Sequence, residues 1–296
     1  MTAMPIARAN GIDIAYETLG DPADPTVLLV HGLGCQLIEW DDELCRAIVD
    51  RGFHVVRFDN RDVGESTRFD QPVDVMGVIA AVAAGEVPEV PYLLSDMAAD
   101  AVGLLDHLGV DRAHVLGVSM GGMIVQTMAI EHGARLRSMT SIMSTTGDPD
   151  VGMPTGEAMS TLLSPPPHDP GGACRTPPSA TTGVWGSPGL YDEARLREVA
   201  GRKWDRGYDP AGTARQLAAI LASGSRSAGL ATVDVPTLVI HGTADKLVQP
   251  SGGERTAEVV PDAKLLMIEG MGHDLPPPLW GGYVERVRGH IATEHP

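Results

Sequence analysis

The chain of 296 residues has little basic charge, little cysteine and few aromatic residues, and each shortage excludes something. Its 22 Lys and Arg stand against 39 Asp and Glu, a formal net charge of −17. A surface of that sign repels a phosphate backbone and gives anionic lipid no polybasic grip, so nucleic acid and an electrostatic membrane anchor are excluded as main partners. Only Lys203, Lys246 and Lys264 are lysine; the dominance of arginine reads as the coding bias of a high-GC bacterial source. Cys35, Cys45 and Cys174 are odd in number and form no C-x-x-C pair, and no His stands near them at zinc-ligand spacing. A disulfide framework and a structural zinc are therefore not expected, and reduced thiols in a cytoplasmic chain are. The N-terminus, MTAMPIARANGIDIAYETLG, lacks the apolar run of a signal peptide. No stretch reaches the roughly 18–20 apolar residues of a membrane-spanning helix. With 43% hydrophobic and 21% charged residues the chain has the balance of a globular protein with a sizeable core. The expectation is a cytoplasmic monomer or homodimer without an integral membrane segment.

Seven short aliphatic runs recur along the chain: Ile12–Tyr16, Thr26–Val30, His54–Phe58, Ala113–Gly117, Ser138–Met143, Pro236–Ile240 and Lys264–Ile268. Four of them (VLLV, HVLGV, TLVI, KLLMI) are nearly continuous apolar stretches, as in a parallel sheet covered on both faces. Between them Leu37–Arg51, Leu94–Leu108, Met120–Glu131, Gly253–Val260 and Leu279–Ile291 carry helical period, with Ser95 an N-cap candidate and Gly109 a C-terminal stop for the second. This alternation predicts an α/β fold. From about residue 145 to 231 it breaks: SPPPHDPGG and TPPSA interrupt the chain, and only Tyr191–Tyr208 and Ala211–Leu221 look helical. A structureless loop of that length is improbable in a compact domain, so 145–231 is expected to be an inserted, mainly helical cap on a core made of 1–144 and 232–296, the alternative being a partly disordered insertion.

The strongest chemical signal is Gly117-Val118-Ser119-Met120-Gly121, placed after an apolar run and before a helical segment. That context suits a nucleophile elbow, a sharp turn that presents Ser119 at the sheet edge. The N-terminus of the following helix would face a developing oxyanion. A serine hydroxyl needs a base, and the base an orienting acid. His273 follows Lys264–Ile268 in a loop bounded by glycines and Pro276-Pro277-Pro278, and Asp245 follows Pro236–Ile240. Asp148, after the preceding strand, is the rival orienter; His31 and His241 precede glycines at strand ends and suit loop-fixing hydrogen bonds. His31-Gly32-Leu33-Gly34 follows Thr26–Val30 and is expected to aim the Leu33 N–H at the same oxyanion as the Met120 N–H. Neither G-K-[S/T] nor G-x-G-x-x-G accompanies this loop, which excludes a phosphate-binding reading. Trp40, Met143, Trp185 and Trp204 are candidates for the substrate pocket, each weighed against a plain core role. Leu33, Met120 and Cys35, beside the same loops, are further candidates.

Five motifs together, VLLVHGLG, FDNRDVGES, LGVSMGG, PTLVIHGTAD and GMGHDLP, resemble the α/β-hydrolase superfamily over almost the full length. Within it the chain is most similar to the bacterial carboxylesterase branch that includes aclacinomycin methylesterase, sharing DPADP, VDRAHV and GMGH. The resemblance implies a mostly parallel eight-stranded sheet flanked by helices, and a cofactor-free, metal-free serine esterase with a Ser119, His273, Asp245 triad. It further implies an acyl-enzyme intermediate and a small or medium soluble ester as substrate, methyl esters of polycyclic metabolites included. C–C bond hydrolysis, perhydrolysis and a slow-turnover receptor are the rivals on the same constellation. Ser119 argues against the dehalogenase and epoxide-hydrolase members, whose elbow carries Asp, and Met120 against the iminopeptidases, which have Trp there. Asp62 departs from the family's Arg-Gly in the FDNRDVGES loop, where Asp59, Arg61, Gly64 and Ser66 are expected to organise structure.

Overall fold

The computed structural model of the chain describes residues 4–164 and 183–292. Eight strands form one sheet: β1 (Ile6–Ala9), β2 (Ile12–Leu19), β3 (Thr26–Val30), β4 (His54–Phe58), β5 (Ala113–Val118), β6 (Leu136–Ile142), β7 (Thr237–Gly242) and β8 (Lys264–Ile268). Their order is β1-β2-β4-β3-β5-β6-β7-β8, and β3 to β8 are parallel while β1 and β2 are antiparallel. β1 was not among the runs read from the sequence. It pairs with β2 across Asn10-Gly11, both at positive φ (46° and 79°), the conformation that a two-residue hairpin needs and that Asn-Gly supplies.

Three of the four runs that read as covered on both faces are so, in β3, β5 and β7, whereas the fourth, KLLMI of β8, forms the edge of the sheet and leaves Leu265 exposed. In β3, Val27 and Leu29 enter one apolar cluster with Leu44 and Ile48 of α1 (Asp42–Val49), whereas Leu28 and Val30 enter another with Leu104 of α3 (Leu94–His107) and Ile124 of α4 (Met120–His132). Successive strand side chains point to opposite faces, so a four-residue run such as Val27–Val30 with no polar member can only be satisfied between two helical layers.

Several helix boundaries differ from expectation. The expected helix Leu37–Arg51 is a 3-10 turn, Leu37–Glu39, followed by α1, because the Asp41 side chain accepts the Glu43 N–H (2.9 Å) and starts a new helix. α2 (Val75–Ala83) was not foreseen. α3 begins one residue before Ser95, and the Asp96 side chain accepts the Leu93 N–H at 2.8 Å, so Asp96 and not Ser95 satisfies this end. Gly109, at φ 68°, ends it as expected.

Between β6 and β7 lie α5 (Gly156–Leu162), α6 (Glu193–Gly207), α7 (Pro210–Ser223) and the one-turn α8 (Ser227–Leu230). Asp192 and Asp209 cap α6 and α7, and Pro210 opens the latter where its missing N–H costs nothing. The proline runs at 165–180 and Cys174 lie outside the described residues. α9 (Ser251–Val259) and α10 (Trp280–Ala292) complete the flanking layers.

Two buried ion pairs bind α6 and α7 to the loop after β4. Arg206 reaches Asp59 (2.8 Å), and Arg215 reaches Asp62 (2.8 Å). Asp62 sits at φ 72° and also accepts from Tyr92 Oη (2.5 Å). The departure from Arg-Gly is thereby explained: a carboxylate is required to meet a buried guanidinium. Arg61 pairs with Asp100 (2.6 Å), and Ser66 Oγ donates to the Asp59 carbonyl (2.6 Å), so this loop serves structure.

Candidate active site

β3 lies between β4 and β5, so the chain leaves it to one side and returns on the other. Such a switch point opens a crevice at the strand C-termini, where ligands settle in α/β sheets. Ser119 stands there, between β5 and α4, at φ 54° and ψ −120°. A non-glycine residue in that region costs about 1–3 kcal/mol, and the surroundings hold it in place. The Ser119 N–H donates to the Ile142 carbonyl (2.9 Å), and the Ser119 carbonyl accepts from Ser144 Oγ (2.8 Å). Gly121 packs so closely on β3 that a Cβ there would overlap the Val30 carbonyl, which is why the elbow requires glycine.

The loops after β7 and β8 bring the other two groups. His273 Nε2 is 2.9 Å from Ser119 Oγ, and His273 Nδ1 is 2.7 Å from Asp245 Oδ2. Asp245 Oδ1 accepts the N–H groups of Leu247 and Val248, both at 2.9 Å. Burial pushes the Asp245 carboxyl up, but His273, with hydrogen bonds from His241 and His273, outweighs it and holds the group down at about 2. An ionised carboxylate only accepts, so Nδ1 carries the proton and Nε2 is left to accept from the serine hydroxyl. His241 Nε2 lies 2.8 Å from the Val248 carbonyl, so it carries its proton there, 3.5 Å from Asp245 Oδ2. His31 stays local as well, accepting the Gly32 N–H at 2.7 Å.

Asp148 is engaged elsewhere. Its carboxylate accepts from Ser225 Oγ and Ser227 Oγ and pairs with Arg255 (2.9 Å), tying the start of α8 to α9. The loop His31–Gly34 does approach the serine: a Cβ built on Gly32 would lie 3.2 Å from Ser119 Cβ. Met120 opens α4, so its N–H belongs to the first turn, which has no intrahelical acceptor.

A cavity of about 350 Å³ opens onto Ser119 and His273. Of the expected pocket residues, Met143 and Trp185 line it, as do Leu33 and Cys35. Trp40 does not: it is buried against His31 (ring centroids 5.0 Å apart) and packs with α1. Trp204 does not line it either, but packs on Tyr208 at 5.5 Å, four residues along the chain and hence one helical turn away. The Met120 side chain is fully buried in the core. Sequence reasoning missed Trp280 and Arg195, which line the cavity and stack on each other with the guanidinium 5.1 Å from the ring, Arg195 also pairing with Asp41. Only their separation in sequence hid them. Burial and Glu39 push the Cys35 thiol up to about 12, so it is no competing nucleophile at neutral pH. Among the described residues no group of three or more His, Cys, Asp or Glu could hold a metal ion, and no helix is long and apolar enough to cross a membrane.

An acid-oriented histidine against a strained serine can move one proton to and from a reacting oxygen, which is the requirement for acyl transfer. Comparison with known proteins agrees at the level of fold. Residues 25–276 match the family described as the alpha/beta hydrolase fold, and the chain belongs to that family. It is 30% identical to rhodomycin D methylesterase of Streptomyces peucetius over 281 residues, covering 88% of each chain. It is 24% identical to epoxide hydrolase A of Mycobacterium tuberculosis, covering 90% of each. Among solved structures, the enol-lactonase from Burkholderia xenovorans superposes with a TM-score of 0.74 at 22% identity, over 97% of this chain and 100% of that one.

Proposed function

We propose that the protein hydrolyses carboxylic esters through an acyl-enzyme on Ser119. The observation that carries this reading is the unbroken chain Asp245–His273–Ser119 at 2.7 and 2.9 Å. Ser119 Oγ attacks the ester carbonyl while His273 Nε2 takes its proton. The N–H groups of Leu33 and Met120 receive the oxyanion, each worth about 3 kcal/mol in such sites. His273 then protonates the departing alkoxide, water adds to the acyl-enzyme by the same route, and the carboxylic acid leaves. Asp245 holds the imidazole and stabilises the imidazolium.

The described parts of the expected cap, 145–231, cover this cavity, with Trp185, Tyr191 and Arg195 among its walls. The Trp185 and Trp280 walls suit a flat ring system. Together with the likeness to a rhodomycin D methylesterase, they support a methyl ester of a polycyclic compound as the substrate class. The test is a panel of p-nitrophenyl and methyl esters run beside Ser119→Ala, with labelling by a fluorophosphonate. We expect wild-type turnover and labelling, and a loss of about 10⁶-fold in kcat with no labelling in the variant, by analogy with other serine triads. Esterase activity retained in Ser119→Ala would overturn the reading.

A further inference from the structure

The loop that carries His273 is held in two halves by two different parts of the chain. Its first half is tied to the loop after β7: the Thr243 N–H donates to the Ile268 carbonyl (3.0 Å), the Ala244 N–H to the Met271 carbonyl (2.9 Å), and the Gly270 N–H to Thr243 Oγ1 (3.0 Å). Its second half, residues 272–274, is tied to Trp185-Gly186-Ser187, which lies between β6 and β7 in the chain. The His273 N–H donates to the Trp185 carbonyl (2.6 Å). The Gly272 N–H donates to Ser187 Oγ (2.9 Å), and that hydroxyl in turn donates to Asp274 Oδ1. The same carboxylate oxygen accepts the Ser187 N–H at 2.9 Å. The two backbones touch so closely that a Cβ on Gly272 would overlap Gly186 and lie 2.5 Å from the Trp185 carbonyl oxygen. Ser187 is fully buried.

Resting on the esterase reading, we propose that Ser187 and Asp274 are positioning residues for His273, a clasp through which the inserted segment sets where the base stands. Gly270 and Gly272 and the prolines at 276–278 leave this loop without a ladder of its own, so its backbone hydrogen bonds must come from outside. The Ser187 hydroxyl satisfies one of them, accepting from the Gly272 N–H, and at the same time donates to the Asp274 carboxylate. Without it the Gly272 N–H and one Asp274 contact lose their partner, and the imidazole is free to drift from Ser119.

The test uses p-nitrophenyl acetate turnover and the rate of Ser119 labelling by a fluorophosphonate, with thermal melting recorded alongside, in Ser187→Ala, Asp274→Ala and Asp274→Asn. A misplacement of about 1 Å costs on the order of 100-fold, so Ser187→Ala and Asp274→Ala should lose about 10- to 100-fold in kcat and in labelling rate, with KM within about threefold. Asp274→Asn keeps an acceptor oxygen and should recover most of the kcat lost in Asp274→Ala. Wild-type kcat in Ser187→Ala, a loss confined to KM, or no recovery in Asp274→Asn would overturn the clasp. Absence of turnover and labelling in the wild-type protein would instead overturn the esterase reading, and the clasp with it.

Discussion

Asp148 and Asp245 follow neighbouring parallel strands at the same edge of the sheet, and each is held at about 2, yet they end in different company. In both cases burial works against the charge and hydrogen-bonded partners outweigh it. Asp245 collects two backbone N–H groups on one oxygen and His273 on the other, so its charge fixes the imidazole. Asp148 collects two serine hydroxyls and an arginine, so its charge joins α8 to α9. The same carboxylate chemistry at one sheet edge therefore holds a histidine against a serine in one loop and joins two helices in the next. A low carboxyl pKa does not by itself mark a catalytic acid.

The contrast can be broken by exchanging readouts. Asp245→Asn should lower kcat by about 10⁴, the cost of the wrong imidazole tautomer in such triads. Asp148→Asn should leave kcat within about threefold of wild type, since a change remote from the reacting groups acts on stability instead. Ester turnover of the two variants decides it; equal losses would erase the distinction. Asp148→Ala should instead lower unfolding free energy by about 2 kcal/mol, the usual worth of hydrogen bonds to a charged group, read by urea denaturation at pH 7.

Acid sharpens the contrast further. An unfolded aspartate titrates near 3.9, so a folded value of about 2 means stabilisation that is fully present above pH ~4 and lost as pH falls through ~2. For the buried Asp245 that amounts to about 2–3 kcal/mol. Denaturation series at pH 5 and pH 2.5 should show a smaller stability difference in Asp245→Asn than in the wild type. The smallest effect concerns the surface. With a net charge of −17, and Glu39, Asp41, Asp192 and Asp274 lining the cavity beside Arg195, cationic esters should outpace matched anionic ones at low ionic strength, and the preference should fade in salt. Comparison of kcat/KM for such a pair at two salt concentrations checks it.

The strands that carry Ser119, Asp245 and His273 were legible because each is a short aliphatic run ending in a glycine-bearing loop, and the elbow because its glycines flank a serine between strand and helix. The hairpin strand β1 was overlooked although Asn10-Gly11 marks it, since a four-residue run with one arginine carries little period. α2 is apolar nearly all round and so offers no amphipathic stripe. The pocket was the least legible part. Trp40 and Trp204 are as large and apolar as Trp185 and Trp280, and nothing local separates a tryptophan that fills a core from one that walls a cavity.

From the chain alone, then, came the layers of this protein, the edge of the sheet where the candidate site lies and the serine and histidine placed there, because alternation, turn residues and strand ends are local properties of a chain. Tertiary structure alone decided which acid meets the histidine, which tryptophans face the cavity and which segment clasps the histidine loop. Those choices join residues such as Ser187 and Gly272, 85 positions apart, and no local pattern encodes a contact whose partners are fixed only when the whole chain has closed on itself.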